Sequence, residues 1–507
     1  MGGNYGKSIY NQLMDVMERL DAMESECKKN HKEIKSLNAE IESLRNENTR
    51  LKEELAAVKA KNVILAEENA ALRKENQLLR DDNERMKRIL NNDSSNSSVP
   101  PSKSQPIKAP NTYNSRKPTK KKAGAQPGHK GRSASKADVE KKIWEGVIGH
   151  HIKETGNPER PYVTRYCPDL DIKVIATEIR IHADNDGKYH IPDKYKADVS
   201  YGNTIKTITA FLYSEGVVAN DRICTFINSL SGDTLGISTG SIYNFCKNFA
   251  GACAALRPVI ENALLNSKEI CTDATVITIN GVQTYIRNFS TKDYVLYCSC
   301  TKKDIETLRG IKVLKEYTGT LVHDHETATY HFGTKHGECN VHLQRYLLKN
   351  TEETGNNWSH DMGMFLNGMD HARNEHIRKN NCSFTQEQIK EYEKRYDTVI
   401  AKGREQNKKT KGKIAKKEEK ALLNRLEKYK ANHLLFLHDF AVPFSNNMSE
   451  KDLRICKNRQ KMAGGFRNEN GKQMYCDIMS FVETIKRKKL NIFQSISGLI
   501  KGTPVIQ

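Results

Sequence analysis

The sequence predicts a multidomain α+β chain with four structured parts. These are an N-terminal parallel coiled coil, a small β-containing module, helix-turn-helix-like helices, and an α/β domain carrying a helical insertion. Three observations carry this: a seven-residue apolar repeat through the first ninety residues, a switch to Ser-, Pro- and Lys-rich composition after Asn91, and a β, β, β, α, β succession of patterns beyond residue 261. The 507 residues leave room for three or four units of about 150 residues. Boundaries fall at 1–92, 93–137, 138–204, 205–260 and 261–480, with the insertion at about 345–440 and a tail at 481–507. Lys and Arg exceed Asp and Glu by 82 − 62 = +20, which suits a polyanionic partner and excludes an acidic, solvating chain.

In the first part, Leu13, Leu20, Cys27, Ile34, Ile41, Asn48 and Leu55 begin an a series, and Val16, Met23, Asn30, Leu37, Leu44 and Leu51 begin the d series. The register holds to Leu90 without a proline, which predicts a left-handed coiled coil. Asn48, Asn62, Asn69, Asn76 and Asn83 all fall at a. A buried Asn pairs best with its own copy across a parallel, in-register seam, so these residues predict a homodimer. A single long helix packed on its own domain is the competing reading.

Residues 93–137 lack hydrophobic periodicity and read as a basic linker. Lys120, Lys121, Lys122, Lys130 and Arg132 stand in a stretch with no acidic residue, able to track phosphates or merely to solubilise. In 138–204, an apolar run at 173–181 and the Asn185-Asp186-Gly187 turn signal read as β structure. His150, His151 and Cys167 there do not make a zinc site, and the 12 cysteines contain no Cys-x-x-Cys pair. Helical periods return at 205–213 and 219–230, and Ser238 stands where a cap belongs before Ile242, Phe245 and Phe249. This fits a helix-turn-helix and equally an ordinary core pair. No stretch approaches the ~18 apolar residues of a membrane span, and the N-terminus lacks a signal core, so the expectation is a cytoplasmic protein without a membrane partner.

Beyond residue 261, Asn280-Gly281 is a strong hairpin signal between two β-rich runs, and a third run ends at Cys300. Asp273 lies on the first strand, and Asp324 ends a later apolar strand. Adjacent strands would let the two share a metal pair. Glu450 opens a helix capped by Asn446 or Asn447 and ended by Gly464-Gly465, with Arg454 and Lys457 on the same face to hold phosphate. Three carboxylates suit hard divalent cations, Mg²⁺ or Mn²⁺, and two such ions serve phosphodiester displacement. The run His323, His325, His331, His336, Cys339 and His342 invites a zinc reading, but no His-Glu-x-x-His pair is present and Cys339 with His342 would need distant partners. Zinc is not expected.

The segments CTDATVITINGVQTYI, GTLVHDHETATYHF with CNVHLQRYL, and PFSNNMSEKDLRICKNRQKMAGGFRN resemble the three blocks around the Asp-Asp-Glu triad of insertion-sequence-66-family transposases, as does AGAQPGHKG at 123–131. The resemblance implies a ribonuclease-H-like catalytic domain with Asp273, Asp324 and Glu450 as catalytic metal ligands. It also implies DNA partners, namely the element's terminal inverted repeats and target DNA. The expected enzyme is nucleoid-associated, works as a homodimer or larger assembly, and leaves open a need for accessory proteins of the same element. One departure stands out: the family's cysteine-pair zinc motif is missing from 138–204. The rival class is a non-catalytic, zipper-dimerised DNA-binding protein derived from a transposase, which the N-terminal 260 residues fit equally well.

Overall fold

The computed structural model describes residues 5–90, 135–154, 157, 159–161, 163–170, 172–503 and 505. The basic arm with Lys120, Lys121, Lys122, Lys130 and Arg132, and the 123–131 motif, lie outside them. The chain divides into two compact units, Met1–Arg88 with Lys411–Lys416, and Ile89–Thr410 with Lys417–Gln507.

In the first unit α1 (Tyr5–Leu90) is one continuous helix, as a proline-free heptad repeat requires. Its apolar stripe stays open: Leu20, Leu44 and Leu72 are 59%, 53% and 56% exposed. Glu24 and Lys28 pair at 2.7 Å along its surface, an i, i+4 contact.

The second unit begins with α2 (Lys136–Trp144), started by a capping box between Ser135 and Asp138. The β structure expected in 138–204 is not there: among the described residues this stretch holds no strand, only a 3-10 turn at Asp193–Tyr195 and one antiparallel bridge, Ala183 to Tyr189. The turn signal was sound, since Gly187 adopts φ 76° and its N–H bonds Asp184 O at 3.0 Å. The apolar run failed because Val174, Ile175 and Ile179 are exposed. A β-prone run without a neighbouring strand has nothing to hold it in register.

Helices α3 (Asn203–Ser214), α4 (Asn220–Leu230), α5 (Thr239–Ala255) and α6 (Arg257–Leu265) follow. Ser238 caps α5, accepting from the Ser241 N–H at 3.1 Å. Residues 231–238 separate α4 from α5, a longer connection than the three or four residues of a helix-turn-helix.

The sheet is built from β1 (Glu269–Ile279), β2 (Val282–Ser290), β3 (Val295–Cys300), β4 (Thr320–His323) and β5 (Lys335–Glu338), with α7 (Ile305–Arg309) and α8 (Lys312–Glu316) between β3 and β4. Its order is β3-β2-β1-β4-β5. β1, β2 and β3 pair antiparallel, while β4 joins β1 and β5 joins β4 in parallel. Asn280 and Gly281 adopt φ 46° and 80°, the two positive angles a type I′ hairpin demands.

Next come α9 (Asn340–Thr354), α10 (Asn357–Arg378), α11 (Gln386–Lys409), α12 (Lys413–Lys428), α13 (Lys430–His433) and α14 (Leu435–His438). Trp358, Phe365, Tyr396, Leu423 and Phe436 give this region its own apolar core. Within it, buried Glu419 accepts from Trp358 Nε1 and Asn356 Nδ2 at 2.7 Å and from Asn407 Nδ2 at 2.8 Å.

The chain returns with α15 (Asn447–Ala463), α16 (Glu469–Arg487) and α17 (Ile492–Ile500). Gly464 ends α15 at φ 72°. At Gly465 a Cβ would meet Thr278 O at 2.7 Å, so the second glycine lets Phe466 N–H reach that carbonyl at 3.0 Å and anchor the helix end to β1. α5 and α16 share one core against the sheet, with Ile242, Cys246 and Phe249 of α5 buried and the Phe249 and Phe481 rings 6.0 Å apart. Ile260, Leu264, Leu308 and Leu314 form another core with Phe289 and Leu296 of the sheet. β4 is accordingly buried at every residue.

Candidate active site

The parallel pairing of β1 and β4 matches Cys271 with Val322. Two residues further along each chain stand Asp273 and Asp324, so strand geometry alone brings these acids side by side. Asp273 accepts the N–H of Ala274 at 2.6 Å, and its own N–H donates to Asn288 Oδ1 at 3.2 Å. Burial and the neighbouring Asp324 charge push its pKa up to about 6, against the opposing pull of the Ala274 N–H, Lys303 and Arg287.

Asn446 occupies the N-cap position of α15, yet its side chain makes no cap bond. It turns into the protein: Nδ2 donates to Thr272 O at 2.9 Å and to Asp324 Oδ1 at 3.4 Å, while Oδ1 is buried and accepts nothing from the described residues. The Asn446 N–H points at Cys339 Sγ, 3.2 Å away. Glu450 sits in the first turn of α15, where the helix dipole favours a carboxylate. Asn288, opposite Asp273 on β2, donates to Ser449 O at 3.1 Å and accepts from the Ser449 hydroxyl. Asp452, one turn further from Ser449, accepts from Ser290 Oγ at 2.5 Å and Arg487 Nη2 at 2.6 Å. These contacts lock α15 to β2, and so Glu450 to the strand acids.

Cys339 and His342 begin α9 beside this group. His342 Nδ1 lies 3.2 Å from Asp324 Oδ2, 3.5 Å from Glu450 Oε1 and 3.4 Å from Cys339 Sγ. Ligand atoms of Asp324, Cys339, His342 and Glu450 all lie within 4.8 Å of one another. Burial lowers the His342 pKa, but hydrogen bonds to Asp324 and Cys339 outweigh it and hold the ring at about 10. Arg345 Nη1, 3.0 Å from Nε2, works against a second ring proton.

A second buried carboxylate lies close by in the chain. Glu338 ends β5 with its side chain fully buried, and it meets His325 Nδ1 at 2.9 Å, His433 Nε2 at 3.1 Å, Arg425 Nη2 at 2.6 Å and the Tyr330 hydroxyl. Burial raises its pKa, but these partners hold it far below the usual carboxylate range. His325, the residue after Asp324, enters this group with φ 61°.

Residues 213–474 match the profile of the Transposase IS66 family, slightly more than half of the chain. The chain belongs to the IS66 transposase family. Searches of curated proteins and of solved structures give no match. The matched span runs from Tyr213 to Met474, so it takes in the whole sheet, all three acids, Cys339 and His342. Transposase function, with DNA as the partner and a divalent metal as the usual cofactor, follows at the level of the family. Among the described residues no helix is long and apolar enough to cross a membrane.

Of the acids expected at an IS66 transposase site, Asp324 and Glu450 are held together across His342, and Asp273 adjoins Asp324 through the β1–β4 pairing. Arg454 and Lys457 are exposed on α15, outside the cluster, and neither makes an ion pair among the described residues. The histidine run divides four ways, with His325 held by Glu338. His331 is exposed, His323 and His336 face each other at 3.3 Å, and His342 joins the acids. Sequence reasoning missed Asn288, the inward side chain of Asn446, and the partners of Cys339 and His342. Asn288 had a usable signal: counting six residues back from Ile279 and six on from Val282, across the hairpin, places it opposite Asp273.

Proposed function

We propose that this chain is a DDE transposase that binds the terminal inverted repeats of its own element, cuts the ends to free 3′ hydroxyls and joins those hydroxyls to target DNA. The observation that carries the reading is the convergence of Asp273, Asp324 and Glu450 from two parallel strands and one helix start, maintained although burial and the neighbouring Asp324 charge push the Asp273 pKa upward. The strand order and pairing support a ribonuclease-H-like reading of residues 261–480, with the helices after β5 as the insertion at about 345–440.

The donor set fits Mg²⁺ or Mn²⁺: three carboxylates suit a hard ion that keeps part of its water, and the Asn446 side chain that donates to Asp324 also carries a buried Oδ1 without a partner among the described residues. Bound divalent ions would supply positive charge to the attacking and leaving oxygens of an in-line phosphodiester displacement. Asp273, Asp324 and Glu450 would hold them. Asn446 fixes the Asp324 carboxylate, and Asn288 fixes Asp273 and the start of α15. Arg454 and Lys457 would hold phosphate by charge, and Lys120, Lys121, Lys122, Lys130 and Arg132 would track the DNA backbone before the active site engages. No covalent enzyme intermediate is needed.

The open apolar stripe of α1 would be covered by the same stripe of a second copy, parallel and in register, with the five a-position asparagines pairing across the seam. The working assembly is then a homodimer or larger, acting on nucleoid DNA in the cytoplasm, with any accessory proteins drawn from the same element. The test is Mg²⁺-dependent cleavage of DNA carrying the element's ends, wild type beside Asp273→Asn, Asp324→Asn and Glu450→Gln. Each variant is expected to lose cutting by about 10³-fold or more, roughly 4 kcal/mol of barrier, and to keep binding. Substantial cutting by any of the three sinks the assignment.

A further inference from the structure

We propose that Asp324, Cys339, His342 and Glu450 form a tetrahedral site for a zinc-class ion, one that uses two of the three acids and so excludes the hard ions of the cutting reaction. The proposal rests on the triad reading for its effect on cutting, and on this cluster alone for binding.

The geometry supports it on the three edges that meet at His342, and all four ligand atoms lie within 4.8 Å of one another. Zinc holds nitrogen and oxygen at about 2.0–2.1 Å and sulfur at about 2.3 Å, so tetrahedral ligands stand about 3.3 Å apart for nitrogen–oxygen pairs and about 3.6 Å apart for nitrogen–sulfur. From His342 Nδ1 the three edges measure 3.2 Å to Asp324, 3.5 Å to Glu450 and 3.4 Å to Cys339. Sulfur and imidazole select zinc over magnesium, whereas the triad acids alone would not. Cys339 is buried, and the Asn446 N–H aimed at its sulfur provides the supporting contact that ligating sulfurs use.

The ligand count gives the consequence. Catalytic zinc sites keep one position open for water or substrate, while four protein ligands close the coordination sphere. Zinc here would leave no position for a DNA phosphate and would occupy Asp324 and Glu450. The bound form is an off state, reversed by chelation. Ligation also displaces two protons to solvent, the thiol proton of Cys339 and the Nδ1 proton of His342. The remaining ring proton then sits on Nε2, facing the Arg345 guanidinium 3.0 Å away, two donors in opposition.

The test is titration of the full chain with Co²⁺, a spectroscopic stand-in for zinc, followed by zinc competition. The wild type is expected to bind one equivalent with sulfur-to-cobalt charge-transfer absorption and intense tetrahedral visible bands. Cys339→Ser, close in shape, should lose the charge-transfer band, and His342→Gln, at a partly buried position, should weaken binding by about 100-fold or more. Arg345→Gln, whose amide oxygen can accept from Nε2–H, should tighten it. A wild type without the band, a Cys339→Ser variant that keeps it, or an Arg345→Gln variant that binds no tighter overturns the proposal. In cleavage assays, zinc should stop Mg²⁺-dependent cutting by the wild type. If the band behaves as stated while Asp273→Asn still cuts, the triad reading fails and this site stands. If the triad variants behave and the band is missing, this proposal alone fails.

Discussion

Two carboxylate sites meet in the chain at the consecutive residues Asp324 and His325, and they are built on opposite principles. Glu338 is surrounded by groups that match it: two imidazoles, a guanidinium and a phenol converge on one carboxylate. Asp324 and Glu450 share one imidazole and Asp273 adjoins Asp324, with Arg287 and Lys303 only at the edge of the field and Arg287 itself engaged by Glu326. The first group has satisfied its charge and has nothing left to bind. In the second, burial and the neighbouring Asp324 charge together disfavour the ionised form of Asp273. Asp324 and His325 are consecutive, yet each belongs to a different group, because the positive φ at His325 turns its side chain toward Glu338.

The largest effect should come from breaking the satisfied group. Glu338→Gln removes the charge and leaves one acceptor oxygen, with an NH₂ donor in place of the other, among Arg425, His325, His433 and Tyr330 in a buried setting, and removal of one partner from such a pair costs about 3–5 kcal/mol. The drop should appear as a lower urea midpoint with little change in slope. The pH sign is fixed: Glu338 has a depressed pKa in the folded state, so its contribution is present above the unfolded carboxylate value near 4.3 and is lost as pH falls below it. A stability of Glu338→Gln equal to wild type at pH 7 would reduce the contrast to appearance.

A smaller effect of opposite sign should follow from relieving the strained group. The Asp273 pKa is raised in the folded state to about 6. Its contribution to stability is therefore full below the unfolded value near 3.9 and is lost as pH rises through 6. Asp273→Asn should stabilise the chain at pH 7 by about 1–3 kcal/mol in chelator and by nearly nothing at pH 4. Denaturation curves of both proteins across pH 4 to 8 would measure it. A variant less stable than wild type at pH 7 would mean that Asp273 is a structural residue after all.

How much of this was legible in the sequence depended on the range of the interaction. The hairpin at Asn280-Gly281, the cap position at Asn446 and the glycine stop at Gly464 are local, and each lies where its short signal predicts. The nearness of Asp273 and Asp324 needed one topological fact, the parallel pairing of β1 with β4, which the pattern suggested without fixing. Cys339 and His342 looked like a pair without partners because their partners are Asp324, 15 residues earlier, and Glu450, 111 residues after Cys339. No spacing rule reaches across an insertion with a core of its own. The 173–181 run failed for the complementary reason: strand propensity is local, but a strand exists only where another edge receives it.

The smallest effect concerns the cations. Around Glu338 the positive charge is internal and already spent. Beside Glu450, Arg454 and Lys457 are exposed and carry no ion pair among the described residues, so their charge remains for a phosphate backbone. Each phosphate contact on duplex DNA contributes about 0.9 to the slope of log affinity against log salt. Arg454→Gln with Lys457→Gln should therefore weaken binding to every DNA sequence alike and flatten that slope by about 2, while stability stays within about 0.5 kcal/mol of wild type. Binding titrations at several salt concentrations, on end-bearing and unrelated duplexes, separate the possibilities. A loss confined to the element's ends would assign these residues to base reading, and an unchanged slope would remove them from the DNA path and leave the three acids without a local phosphate clamp.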